Sequence, residues 1–79
     1  MKPEYSNTAV KAINRINNPD KQRIKQGIDK LPEGDVVRLK GYINLYRLRI
    51  GNWRILFSIV MNNIFIEDIL PRGDAYKGG

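Results

Sequence analysis

The chain contains neither cysteine nor histidine among its 79 residues. The lack of cysteine excludes disulfides, so a domain this small depends on its core for stability, and it is consistent with a reducing compartment. The lack of histidine removes the usual general base near neutral pH, and both absences remove the soft metal ligands. Any catalysis must use Lys, Arg, Tyr, Ser or carboxylate side chains. We therefore expect no metal and no other cofactor.

Long apolar runs are also missing. No stretch approaches the roughly 18 apolar residues of a membrane span, and the N-terminal residues lack the apolar core of a signal peptide. We expect a single cytoplasmic domain over residues 1–79, with no membrane partner.

Acidic residues are scarce: the chain has 8 acidic and 14 basic residues, for a net charge of +6. This balance favours a polyanionic partner, either nucleic acid or an acidic protein.

The segment from Leu45 to Phe57 organises the predicted fold as a β-hairpin. Two runs alternate apolar and polar residues around Gly51–Asn52, which has the composition of a two-residue turn. A turn of that length places Arg49 opposite Arg54. Because side chains alternate between the faces of a sheet, one face is uncharged and carries Tyr46, Leu48, Ile50, Trp53, Ile55 and Phe57. The opposite face carries Arg47, Arg49 and Arg54.

These three arginines, the arginine face, admit two interpretations. Either they are an ordinary solvated surface, or they bind an anion. Arg49 and Arg54 are expected ~4.5–5.5 Å apart at Cβ, where like charges repel. Arginine offers phosphate a planar fork of donors and stays charged at all useful pH. The second interpretation therefore predicts that the arginines bind a nucleic-acid backbone, or stabilise the extra negative charge of a phosphoryl transition state.

Two helices are predicted before the hairpin, over residues 8–16 and 19–31, where apolar residues recur at helical spacing. Ser6 or Asn7 can cap the first, and Pro19 suits the first position of the second. The short link predicts an antiparallel helical hairpin. The basic residues of the second helix are either a solvated face or a support for a phosphate backbone.

Further strands are expected at residues 2–5, 36–40 and 64–70, the last after an Asn62–Asn63 turn. The apolar alternation fails within the last strand, and a β-bulge near Glu67–Asp68 explains the failure. The predicted fold class is α+β: a two-helix antiparallel hairpin packed on one face of a small antiparallel β-sheet. The arginine face is then left open on the other side.

Arg72 and Tyr76 follow the last strand together. Tyr76 either anchors the tail as a packed aromatic, or stacks on a base or moves a proton. Arg72 either pairs with Asp74 or Glu67, or joins the arginine face.

Four segments occur in a specific order: Leu-Lys-Gly at 39–41, Leu-Tyr-Arg-Leu-Arg-Ile-Gly at 45–51, Trp-Arg-Ile at 53–55 and Pro-Arg-Gly-Asp-Ala-Tyr-Lys at 71–77. In this order and spacing they resemble the RelE/ParE superfamily of toxins from type II toxin–antitoxin systems. The resemblance covers nearly the whole chain. It implies two helices on an antiparallel sheet, and RelE-like cleavage of mRNA in the ribosomal A site without a metal. The implied partners are a cognate antitoxin protein, the ribosome and mRNA.

In RelE toxins, basic residues on the sheet and a C-terminal tyrosine activate the ribose 2′-hydroxyl and stabilise the scissile phosphate. The resemblance assigns these catalytic roles to Arg47, Arg49, Arg54, Arg72 and Tyr76. It assigns RNA binding to Lys40, Arg47, Arg49, Arg54 and Lys77. The best-known members have lysines where this chain has Arg47 and Arg49, and arginine essentially cannot act as a base. The base therefore falls to Tyr76 or to the ribosome.

Two other functions stay open. A ParE-like inhibitor of DNA gyrase would need no catalytic residues, and a non-catalytic member would bind only an antitoxin or nucleic acid. The cross-strand arginines and the tail tyrosine favour the endoribonuclease over the gyrase inhibitor, and the sequence leaves the non-catalytic alternative open.

Overall fold

The computed structural model describes residues 2–72 of the chain. The elements follow in the order β1 (Glu4–Tyr5), α1 (Asn7–Asn14), α2 (Asp20–Asp29), β2 (Val36–Arg38), β3 (Leu45–Ile50), β4 (Trp53–Val60) and β5 (Asn63–Pro71). The strands form one five-stranded sheet in the order β1-β5-β4-β3-β2. The apolar stripes of both helices pack on one face of this sheet. The predicted α+β arrangement of a helical hairpin on a sheet is confirmed.

The sheet is mixed, which differs from the purely antiparallel sheet predicted. β1 runs parallel to β5, with Glu4 opposite Phe65 and Tyr5 opposite Ile66, while the other pairings are antiparallel. Both helices and three strands separate β1 from β5 in the chain, so no tight turn forces these two strands to be antiparallel. The prediction is correct for β2 to β5 and wrong for β1.

The β3–β4 hairpin has the predicted register. Ile50 pairs with Trp53, and the pairing continues along both strands to Leu45 and Ser58. Gly51 in the turn has a φ of 56°, a left-handed conformation that glycine adopts without steric cost. This register fixes which side chains share a face, and both predicted faces of the hairpin are confirmed.

The uncharged face of the hairpin forms the sheet side of the hydrophobic core, on which the helices pack. Ile55 and Phe57 are fully buried, and Phe57 stacks on Tyr46 with ring centroids 5.4 Å apart. The helices and β5 supply the rest. The members of the core cluster are all apolar and buried: Ala9, Ile13, Ile16, Ile24, Ile28, Leu31, Leu48, Ile55, Phe57, Ile64, Ile66 and Ile69.

Each helix ends before its apolar stripe does. Ser6 caps α1 by accepting a backbone N–H of the first turn, whereas Pro19 precedes α2 without a side-chain cap. Ile16 and Leu31 lie beyond the helix ends yet stay buried, because their N–H groups bond carbonyls three residues back in a tighter last turn. No helix in the described part of the chain is long and apolar enough to cross a membrane.

β5 contains the predicted bulge. Leu56 pairs with Asp68 but the next residue, Phe57, pairs with Ile66, so Glu67 is the extra residue. The bulge explains why apolar alternation fails in this strand, since it shifts the inward positions by one residue.

The turn before β5 is Met61–Asn62, one residue earlier than predicted. Both residues have positive φ, 51° and 67°, as a two-residue hairpin turn requires. Val60 pairs with Asn63 across it. Met61 is 90% exposed, so burial of its apolar side chain does not compete with the turn geometry.

Candidate functional site

The sheet face opposite the helices brings the three predicted arginines together. Arg47 and Arg49 project from β3 on this face because they flank the buried Leu48. Arg54 projects from β4 as the cross-strand partner of Arg49, and Leu56 is the partner of Arg47. The arginines therefore occupy adjacent positions of one hairpin.

The arginine face is only partly exposed to solvent. The Arg47 side chain is 13% exposed, against 53% for that of Arg49. Arg47 Nε and Arg54 Nη1 are buried, and neither has a hydrogen-bond partner within residues 2–72. A buried N–H without an acceptor costs free energy. Two cationic groups that keep such donors beside a third arginine make a surface suited to an anion.

Asp35, in the turn before β2, is part of this cluster although it is not among the predicted site residues. Its Oδ2 accepts a hydrogen bond from Arg49 Nε at 2.8 Å, and its Oδ1 lies 3.9 Å from Arg47 Nη1. The Asp35 carbonyl also accepts the Arg49 backbone N–H at 3.0 Å. Val36 lies opposite Leu48, so strand alternation places the preceding Asp35 on the arginine face. The register of β2, observed in the structure, is therefore what brings Asp35 to the arginines.

Arg72 lies at the same end of the sheet as Arg54. Its backbone N–H donates to the Asn52 carbonyl at 2.6 Å, which holds it beside the hairpin turn just after β5. Among the described residues Arg72 forms no ion pair with Glu67, whose carboxylate instead accepts the Ser58 hydroxyl at 2.7 Å. The structure therefore leaves Arg72 near the arginine face without joining it to the cluster.

The remaining predicted residues are not brought to the cluster. Lys40 is exposed in the loop after β2. The neighbouring Leu39 N–H donates to the Leu45 carbonyl. This loop therefore lies beside the first residue of β3, whereas Arg49 lies near the last. Tyr76 and Lys77 lie outside the described residues.

Trp53 links the arginine-bearing strand β4 to helix α2. Its ring is half-buried and packs against the core, as predicted, and its Nε1 donates to Asp20 Oδ2 at 3.1 Å. Because Trp53 directly precedes Arg54, this bond attaches the site end of the hairpin to the start of α2.

Comparison with known proteins identifies the family. No family model matches the chain. The chain is 30% identical to the toxin RelE3 of Methanocaldococcus jannaschii over 84 residues, a match that covers 96% of each. This chain belongs to the RelE family of toxins. The resemblance seen in the sequence is thereby confirmed for the RelE branch of the superfamily.

Solved RelE structures share the fold. A RelB–RelE antitoxin–toxin complex from Methanococcus jannaschii matches with a TM-score of 0.81 and 27% identity over 95% of this chain and 96% of that one. An archaeal RelE–RelB complex from Pyrococcus horikoshii OT3 matches with a TM-score of 0.75 and 26% identity over 94% and 97%. In both structures a RelE toxin is in complex with RelB.

Proposed function

We propose that this RelE-family toxin is a metal-independent endoribonuclease that cleaves mRNA in the ribosomal A site and so stops translation. The observation that carries the proposal is that two buried donors beside Arg49, Arg47 Nε and Arg54 Nη1, have no hydrogen-bond partner within the described residues 2–72. Arginine forks bind phosphate through paired N–H groups. A scissile phosphate over the hairpin would supply the acceptors that these donors lack.

The chemistry assigned to this face is attack of a ribose 2′-oxygen on the adjacent phosphorus. The 2′-O–P bond forms, the P–O5′ bond breaks, the 2′-hydroxyl proton passes to a base and the 5′-oxygen takes up a proton. A phosphate between Arg49 and Arg54 relieves their mutual repulsion. The relief is larger in the transition state, where more negative charge accumulates on the phosphoryl oxygens.

Other residues take supporting roles in this proposal. Arg72 is near enough to the hairpin turn to add charge at the Arg54 end of the site. Because arginine does not release its proton, Tyr76 or a ribosomal group is the proposed proton carrier. Lys40 and Lys77 are proposed to contact the RNA backbone away from the cleaved bond.

The proposed partner that restrains the toxin is a cognate antitoxin in the same cytoplasm. The related RelE chains from Methanococcus jannaschii and Pyrococcus horikoshii are in complex with RelB, and a chain with net charge +6 suits an acidic segment. Binding to the folded toxin alone would also raise its stability. The product of an adjacent small reading frame should bind and neutralise this protein, and failure to do either would contradict the proposal.

Single-turnover cleavage of A-site mRNA on programmed ribosomes tests the site. Arg54→Ala should reduce the rate by roughly 10²-fold, as loss of one preorganised donor does. Its melting temperature should be unchanged or slightly raised, because a like-charge pair is removed. Arg38→Ala is the matched control: Arg38 is on the same sheet but pairs with Tyr46 on the other face, and cleavage should persist.

Wild-type cleavage by Arg54→Ala would refute the arginine site. Tyr76→Phe separates two roles, because it keeps the ring and removes the hydroxyl. Impaired cleavage with intact ribosome binding indicates proton transfer, whereas unchanged cleavage indicates stacking alone. If the unmutated protein cuts no mRNA and its expression damages DNA, the gyrase-inhibitor function replaces this one.

A further inference from the structure

We propose that Asp35 is a positioning residue of the arginine site, an inference that rests on the proposed endoribonuclease function. Its carboxylate holds Arg49 and Arg47 side by side, so that their remaining donors face the bound phosphate in a fixed orientation. Asp35 itself touches neither the phosphate nor the reacting oxygen. It acts through the two guanidinium groups.

The contact with Arg49 engages only one edge of the guanidinium. Asp35 Oδ2 accepts from Nε at 2.8 Å, and Nε carries one of the five N–H groups of arginine. The four N–H groups on the two Nη atoms are left for a second acceptor. A carboxylate placed at Nε therefore orients the fork without occupying the donors that would bind phosphate.

The contact with Arg47 offsets the burial of its charge. Most of the Arg47 side chain is buried, and Asp35 Oδ1 at 3.9 Å is its only acidic partner within residues 2–72. A buried cation without a counter-charge is strongly disfavoured. Asp35 thus offsets the charge of Arg47 and helps hold it in place, while Arg47 Nε has no hydrogen-bond partner among residues 2–72.

The backbone around Asp35 makes this placement rigid. The Asp35 carbonyl accepts the Arg49 N–H at 3.0 Å, and Val36 N–H donates to the Gly34 carbonyl at 3.0 Å. Gly34 has a φ of 119°, which a side chain would strain. The carboxylate is therefore tied to the same strand position whose guanidinium it orients, as a preorganised site needs.

A positioning role predicts opposite changes in rate and affinity. Without the carboxylate, Arg49 is free to adopt other rotamers, and misplacement of a reacting group costs about 10- to 100-fold in rate. Removal of a negative charge from the arginine face also strengthens its attraction to RNA. Asp35→Ala should therefore slow cleavage at saturating ribosome concentration by that factor, while ribosome binding stays equal or becomes tighter.

The matched control is Glu33→Ala, which removes the same charge from the same turn. Glu33 is exposed and makes no ion pair with any residue in the described part of the chain. Glu33→Ala should cleave at the wild-type rate. Asp35→Asn keeps an acceptor oxygen for Arg49 Nε, so its rate should lie between those of Asp35→Ala and the wild type.

Three results would overturn the proposal. Cleavage by Asp35→Ala at the wild-type rate would show that Arg49 needs no orientation. Faster cleavage would show that the carboxylate competes with phosphate. Slower cleavage with weaker ribosome binding and a lowered melting temperature would show that Asp35 is merely structural.

A second measurement does not depend on activity. In ¹⁵N NMR spectra of the free protein, the Arg49 Nε–H should be protected from exchange with water, because it is hydrogen-bonded. Asp35→Ala should abolish that protection and Glu33→Ala should preserve it. An unprotected Arg49 Nε–H in the wild type would refute the positioning role. If the wild type fails to cleave mRNA but this protection is present, the endoribonuclease proposal fails and the Asp35–Arg49 attachment stands.

Discussion

Replacement of Ile55 by Asp tests whether the helices depend on the uncharged hairpin face. Ile55 is fully buried and lies between Leu48 of β3 and Ile69 of β5. Truncation of a core isoleucine costs about 2–5 kcal/mol. An unpaired carboxylate adds further destabilisation, because it must be either desolvated or protonated. The total is therefore at least several kcal/mol.

That loss is large relative to the stability of so small a domain. At ~0.05–0.15 kcal/mol per residue, a chain of this length has a free energy of unfolding of about 4–12 kcal/mol. Ile55→Asp should therefore lower the melting temperature by tens of degrees or leave the protein unfolded at 25 °C. Circular dichroism at 222 nm during heating measures this directly.

Val60→Asp is the matched control for Ile55→Asp. It introduces the same side chain into the same strand at a position that is 42% exposed. Its melting temperature should stay close to that of the wild type, since surface substitutions change stability by about 0.5 kcal/mol or less. Equal melting temperatures for Ile55→Asp and the wild type would refute the placement of Ile55 in the core.

Two further predictions concern groups around the site and the first strand. Trp53→Phe keeps an aromatic ring but removes the Nε1–Asp20 hydrogen bond, so it should lower the free energy of unfolding, measured by chemical denaturation, by about 0.5–1.5 kcal/mol. The double variant Trp53→Phe, Asp20→Ala should lose less than the sum of the two single variants, because both remove the same bond. Fully additive losses would contradict the bond. Burial, and to a smaller extent Asp29, raises the pKa of the Tyr5 phenol above its usual value near 10. The unfolded state therefore ionises first, and stability should fall as the pH rises above about 10. Tyr5→Phe should lessen that fall, and an identical alkaline melting profile would contradict the shift.

Most of the fold could be predicted from sequence because the strongest signals are local. A two-residue turn with glycine at a left-handed position permits one register, and that register assigns every side chain of β3 and β4 to a face. The bulge at Glu67 was also predictable, since a break in strict alternation is its direct signature.

The parts that could not be predicted depend on contacts distant in sequence. β1 is two residues long, and its parallel pairing with β5 is decided by how the helices pack rather than by a turn. The ends of the helices were placed too late, because Ile16 and Leu31 stay buried in tighter turns past the helices.

Within the candidate site, the arginines were predictable and their counter-ion was not. Arg47, Arg49 and Arg54 follow from alternation within one hairpin. Asp35 reaches them only through the register of the edge strand β2, and the turn before that strand has no pattern that fixes its pairing. An edge strand of three residues has too short an alternation of apolar and polar residues to show on which face of the sheet the preceding residue, Asp35, lies.

The register of the hairpin joins the stability of the fold to the geometry of the site. A slip by one residue would turn over one strand relative to the other, which would move Leu48 or Ile55 to solvent and the arginines of that strand towards the core. Burial of the core therefore holds Arg49 opposite Arg54. The core thereby keeps two like charges together, an arrangement that disfavours the free protein and favours a bound phosphate. Asp35 removes part of the repulsion without covering the Nη donors of Arg49. The Gly51–Asn52 turn that sets the register is therefore as necessary to the site as the arginines themselves.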